Sequence, residues 1–223
     1  MLALNYRTIL GVALPMMVTG FIQSIVLLTD ASLIARHSTA EFDAVGNAGL
    51  LYVTLYMCLA GMADGAQIII ARRIGQDRKE LIGQVFGTTV WVLIALALLL
   101  FSLLYFMMPD LVYAYSEQKQ IAHLQGIYIE KRSFSLFFAM ITLAIQSFFL
   151  AEGKSWVVLV TSVLTASSNA LLAYLLIFGE WGLPDLGIKG AALASTMADA
   201  IGMLSMLGFL WFSKERKKYQ LLS

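Results

Sequence analysis

Charge is scarce in this sequence: Lys, Arg, Asp and Glu make up 13% of its 223 residues, and their net charge is +1. Soluble domains carry about a quarter charged residues. So few charges exclude a disordered segment and a coiled coil, and the small net charge leaves no basic field for nucleic acid. The single cysteine, Cys58, excludes an intrachain disulfide scaffold. The two histidines, His37 and His123, stand far apart in expected external loops, without metal-ligand neighbours. No nucleophile–base pair or glycine-rich phosphate loop occurs, so an enzyme reading has no residues to rest on. What fills the space is apolar: 60% of residues are hydrophobic and the mean hydropathy is +0.80. A soluble fold of this size cannot hide that much apolar surface. The sequence reads as an all-α, polytopic membrane protein.

A helix needs about 20 apolar residues to cross the hydrocarbon. Six runs qualify: 8–34, 46–71, 84–108, 133–151, 156–178 and 187–212. The first is too long for a signal peptide and lacks a convincing cleavage site, so it is expected to be a retained span. The expected connectors are 36–43, 72–83, 109–132, 152–155 and 179–186. Residues 1–212 form one six-span unit, followed by a basic tail, 213–223. Of the 15 Lys and Arg, ten (Arg7, Arg72, Arg73, Arg78, Lys79, Lys154, Lys214, Arg216, Lys217 and Lys218) fall on one side and five on the other. The positive-inside rule places the richer side, and both termini, in the cytoplasm.

Three acids, Asp30, Asp64 and Asp199, lie well inside spans. Inserting one ionised carboxylate at the bilayer centre costs roughly 3 kcal/mol, so such groups face a bundle interior or a wet cavity. At about 100° per residue, Thr19, Gln23 and Asp30 share a narrow arc of span 1, and Pro15 favours a kink in that helix. Thr161, Thr165, Ser168 and Asn169 form a second polar stripe on span 5, as readily structural as functional. Span 6 presents Gly187, Gly190, Ala191, Ala194, Ser195, Ala198 and Gly202, a small-residue face suited to close helix packing. Asp199, on its edge, belongs either to a second acidic site or to a neighbouring hydroxyl or amide. Asp64 is expected to form an ion pair with Arg72 or Arg73. Every Lys and Arg is expected at a span end or in a loop.

Several stretches resemble one family. Leu14-Pro15-Met16, then Gln23, then Thr29-Asp30 resembles the first helix of the multidrug and toxic compound extrusion (MATE) transporters. Gln67 to Gly75 is similar to that family's "Q-I-x-x-A-R-R-x-G" stretch, and Asn169 through Ile177-Phe178-Gly179 to Ser195 to its "N…I-F-G…G-x-x-G-A-A-L-A-T" pattern. The resemblance runs along nearly the whole chain. It implies one six-helix lobe of a two-lobe, twelve-helix exporter of amphipathic or cationic small molecules from the bilayer of the plasma (inner) membrane. Export would be driven by H+ or Na+, with no other cofactor.

The resemblance further implies that Asp30 is the cation-coupling aspartate. Met16, Gln23, Asn169 and Ser195 would line the cavity, as would Thr165 from its stripe, and Pro15 would match a proline whose bend accompanies changes of the site. Two departures stand out. Ala173 replaces the acid or amide usual four residues after Asn169, which makes Asp199 the candidate substitute. The chain also carries six spans rather than about twelve, so a second lobe is expected on the same polypeptide, on a partner chain or from a second copy. The alternatives are a lipid-linked oligosaccharide flippase of the same superfamily and an inactive half-transporter. A flippase would need a basic group in its cavity.

Overall fold

The structure is a computed structural model that describes residues 6–219 and 221, for residues 7 and 8 the backbone only. Among the described residues there is no strand. The chain runs through α1 (Tyr6–His37), α2 (Thr39–Gly75), α3 (Glu80–Ser102), α4 (Met108–Tyr115), α5 (Lys119–Ser133), α6 (Ser135–Ala151), α7 (Ser155–Phe178), α8 (Ile188–Phe212) and α9 (Lys214–Lys218). A π-helical turn, Leu103–Met107, joins α3 to α4, and Pro109 then opens α4, where a missing N–H costs nothing.

The helices begin and end where local chemistry requires. Ser38 alone separates α1 from α2: its backbone is extended and its hydroxyl accepts from the Glu41 N–H at 3.4 Å, with Glu41 in the first turn. Ser-x-x-Glu before an apolar run is the sequence pattern of a capping box. Gly179 ends α7 in the left-handed region (φ 68), where a Cβ would lie 2.6 Å from the Asp185 nitrogen.

Five helices are long and apolar enough to cross a membrane, and the pair α5–α6, bent by 45°, makes a sixth span. By length and composition, helices cover all six expected runs when α5 and α6 are taken as one span, but the connectors differ. Residues 109–132 are mostly helix (α4 and α5), not an irregular loop. The reason is length: α6 has 17 residues, about 25 Å at 1.5 Å per residue, short of the roughly 30 Å hydrocarbon core. The end of α5 must complete the span.

Packing follows the small-residue face. α8 sits between α6 and α7, α1 packs on α7, and α2 packs on α3, α5 and α6. Gly190, Ala191, Ala194, Ala198 and Gly202 are all buried. A Cβ at Gly190 would collide with the Leu176 carbonyl of α7, and one at Gly202 would meet the Thr165 hydroxyl at 2.5 Å. One core joins α1, α7 and α8 through Ile34, Ala173, Ile177, Ala191 and Ala194. Another, at the opposite end, joins Ile70, Phe86, Phe148, Phe149 and Leu210 to the tail residues Tyr219 and Leu221. The 213–223 segment is thus docked under the bundle as far as it is described, helped by a Lys154–Glu215 ion pair. Ser223 and the Arg7 side chain lie outside the described residues. Ile9, Leu10, Leu14, Met17, Phe21, Leu27 and Leu28 stay exposed along α1, a surface that suits lipid or another apolar partner and not water.

Candidate functional site

Span 1 meets span 5 at a carboxylate and an amide. Asn169 of α7 donates through Nδ2 to Asp30 Oδ1 of α1 at 2.7 Å. Asn169 is 4% exposed, and its Oδ1 is buried with no hydrogen-bond partner. A buried acceptor left without a donor costs about 1–3 kcal/mol, so the pair is incomplete as it stands. A shallow apolar cleft beside it runs between α1 and α7, lined by Ile22, Val26, Thr29, Val163 and Asn169.

The second acid has an unexpected partner. Arg132, near the α5–α6 bend, donates through its guanidinium to Asp199 Oδ2 of α8 at 2.7 Å, with the two side chains 16% and 23% exposed. The guanidinium lies 4.6 Å from the centre of the Tyr52 ring, a cation–π stack. Tyr52 in turn hydrogen-bonds Ser135 of α6. Tyr128, one turn before Arg132 on α5, is buried. Ile34 of α1, one turn after Asp30, and Ala194 of α8, just over one turn before Asp199, share one core, and the two helices run in opposite directions, so the Asp30–Asn169 and Arg132–Asp199 pairs lie at a similar depth of the lobe.

This corrects four sequence expectations. Arg132 is not confined to a connector but reaches the interior, because α6 alone is too short to span. Asp199 is held by an arginine rather than a hydroxyl or amide. Asp64 is exposed and forms no ion pair with Arg72 or Arg73; Arg73 donates instead to the Gln76 side chain at 3.3 Å. His37, expected in an external loop without metal-ligand neighbours, ends α1 and contacts Glu41 at 2.8 Å and Asp185 at 3.1 Å, tying the α7–α8 loop to the start of α2.

The remaining candidates divide. Thr19 donates to the Pro15 carbonyl at 2.9 Å. The Gly11 carbonyl, which Pro15 cannot reach with an N–H, accepts from Ser155 of α7 at 3.4 Å. Met16 and Gln23 are exposed on α1 and are not brought onto Asp30. Ser195 spends its hydroxyl on its own helix, donating to the Ala191 carbonyl at 3.1 Å. Thr165 packs against Gly202, and Thr161 accepts from Ser205 of α8 at 3.3 Å. The span 5 stripe is therefore part seam and part site: only Asn169 reaches Asp30. Ala173 is buried in the α1–α7–α8 core and offers no oxygen. Sequence reasoning missed Arg132 and Tyr52. The signal for the first was a buried acid, Asp199, for which no cation had been found.

Comparison with known proteins agrees with this architecture. The MatE family model matches residues 15–175. A probable multidrug resistance protein NorM of Rhizobium meliloti is 24% identical over 97% of this chain and 46% of its own length. Its counterpart in Bradyrhizobium diazoefficiens is 26% identical over 100% and 47%. Among solved structures, a MOP superfamily transporter from Pyrococcus furiosus superposes with a TM-score of 0.87 at 20% identity, over 97% of this chain and 47% of that one. A MATE protein in the bent conformation gives 0.85 at 20% identity, over 97% and 47%. The chain spans about half the length of the curated relatives it matches. With a family model matching residues 15–175 and the same helical bundle in solved MATE-type structures, the chain belongs to the MatE family.

Proposed function

We propose that this chain forms the first lobe of a secondary active exporter that expels amphipathic or cationic small molecules in exchange for an inward-moving cation, H+ or Na+. The observation that carries the reading is the Asp30–Asn169 pair: an ionisable carboxylate inside a span, held by an amide whose own oxygen is buried and unsatisfied. Aspartate is a costly way to join two helices. Neutralising it changes the charge of the lobe interior by one unit, which weakens the hold on a cationic substrate and alters how α1 packs on α7. The coupling works only to the extent that the two states differ in affinity for the ion.

Transport by alternating access needs two walls around a shared site. The long apolar face of α1 supports a second lobe as partner, whether on the same polypeptide, on a partner chain or as a second copy. The lobe resides in the plasma (inner) membrane with both termini cytoplasmic. That orientation rests on the Lys and Arg count together with the grouping of Arg72–Lys79, Lys154 and Lys214–Lys218 at one end. The flippase reading gains an interior arginine, but that guanidinium is bound to Asp199 and offers no uncompensated charge to an anionic lipid.

The test is Asp30→Asn in the membrane-inserted transporter. Ion-driven efflux of a cationic dye should be lost while insertion persists, and wild-type efflux rates would remove Asp30 from the mechanism. Vesicles holding only the 223-residue chain should show no export unless cross-linking reveals a dimer. Drug-specific efflux from a demonstrated monomer would overturn the two-wall account.

A further inference from the structure

Two acids inside one lobe would ordinarily make a site for a metal cation: two carboxylates supply charge and oxygen ligands together. Here the second acid is already occupied. The Arg132 guanidinium sits on Asp199 at 2.7 Å and over the Tyr52 ring at 4.6 Å, and an arginine keeps its charge at every relevant pH. We propose that Arg132 sets which cation the lobe takes: as a resident positive charge it occupies and neutralises Asp199, and leaves the Asp30–Asn169 pair fit for a proton and unfit for Na+. This rests on the reading of Asp30 as the coupling carboxylate and specifies its ion.

The chemistry at Asp30 agrees on separate grounds. A hard monovalent cation needs a shell of several oxygens, and the neighbourhood does not supply one. Ala173 presents a methyl group in the core beside α1, and Ser195 spends its hydroxyl on the Ala191 carbonyl. A proton needs one acceptor. A carboxylic acid and a carboxamide pair through two parallel hydrogen bonds, and one of these, Asn169 Nδ2 to Asp30 Oδ1, is made. The other requires an O–H on Asp30 donating to the free Asn169 Oδ1. Protonation would therefore satisfy the buried acceptor that the ionised pair leaves bare. The O–H bond forms on Asp30 Oδ2 with a proton from water and breaks when that proton returns to water on the other side.

The charged and titratable groups acting on Asp30 are Arg132 and Tyr128 from α5 and Asp199 from α8; Tyr52 and Tyr56 from α2 face the Arg132–Asp199 pair instead. With Asp30 ionised, its charge and that of the Arg132–Asp199 pair sum to one negative; with Asp30 protonated they sum to zero. A single proton therefore neutralises the group. Replacing the guanidinium by a neutral side chain would add a second uncompensated carboxylate and turn the pair into a two-acid site.

The experiment is carbodiimide labelling of the chain in liposomes, read at the Asp30 peptide by mass spectrometry, in Na+ and in choline at equal pH and ionic strength. Carbodiimides modify protonated carboxyls, so a competing metal cation protects. Wild-type labelling should fall as pH rises and be the same in both salts within twofold. Arg132→Gln should acquire Na+ protection of at least fivefold. Arg132→Lys, which keeps a cation for Asp199, should stay indifferent to Na+, as should the Arg132→Gln/Asp199→Asn double variant. Na+ protection of wild type overturns the inference even if Arg132→Gln does not fold, and so does a folded Arg132→Gln that ignores Na+. Failure of the underlying reading looks different: coupled efflux unchanged in Asp30→Asn, whatever the labelling shows.

Discussion

Removing one partner from the Arg132–Asp199 pair should cost far more than removing both. The pair is 2.7 Å long with side chains 16% and 23% exposed. Breaking a buried ion pair on one side costs about 3–5 kcal/mol, whereas replacing both members by well-packed apolar groups is often neutral or stabilising. Partial exposure places this pair at the lower end, so Asp199→Leu should cost about 3 kcal/mol. It leaves a guanidinium that cannot shed its charge. Arg132→Met should cost less, about 2 kcal/mol, because a carboxylate left alone, unlike a guanidinium, can be neutralised from solution by a metal cation or a proton; it also forfeits the stack on Tyr52. The Arg132→Met/Asp199→Leu double variant should fall within about 1 kcal/mol of wild type. The coupling energy of the cycle is then roughly 4 kcal/mol, well above the few tenths seen for independent sites. Denaturant titration of the purified chain in detergent, followed by far-ultraviolet circular dichroism, measures all four corners. Strict additivity would refute the pairing, and a double variant as unstable as Asp199→Leu would refute the claim that the cost is uncompensated charge.

Three further outcomes follow from other parts of the lobe. Gly190→Ala should destabilise by about 1–2 kcal/mol, because its Cβ meets the Leu176 backbone, which cannot rotate away; Gly208→Ala, with open space around it, should be neutral or gain up to about 1 kcal/mol from helix propensity. Thermal unfolding of the two variants side by side would reject the close-packed α7–α8 seam if they behave alike. Burial is the largest influence on the Glu215 carboxyl and works to raise it, but the hydrogen bond to the Lys154 ammonium, a backbone hydrogen bond and the charges of Lys154 and Lys218 together outweigh it and hold the group below its ordinary value of 4.5. The contact therefore contributes fully above the ordinary carboxyl range and is lost as pH falls through the lowered value. Proteolysis of the docked tail should accelerate as the pH falls below the ordinary carboxyl range, and Glu215→Gln should show the fast rate already at neutral pH. Finally, cysteines placed at Glu180 and Asp185 should react with an impermeant reagent from outside intact cells and one at Ser223 should not; the reverse pattern would invert the orientation.

Span number, span positions and the helical class were legible in the sequence because they depend on local quantities. An apolar run of sufficient length must cross as helix when no water is present to bond the backbone, and small residues at helical spacing on span 6 serve close approach whatever their neighbour. Ser38 before Glu41 and the glycines at 179 and 187 likewise act on their own backbone. Asp30 and Asn169 could be singled out because a polar group in an apolar run is visible from its own helix alone.

Which polar groups meet was decided by tertiary structure. Lys131-Arg132 reads as the charged edge of a span, yet the shortness of α6 draws the end of α5 inward and delivers Arg132 to Asp199, 67 residues away. The same packing takes Thr161 and Thr165 into the α7–α8 seam and leaves Asn169, on the same helix, facing Asp30. Periodicity assigns a residue to a face of its own helix; it carries no information about the bend between α5 and α6 or about the element that face will meet. The charge balance of the lobe interior, two acids and one arginine, is a property of those meetings, so it became visible only when the helices were packed together.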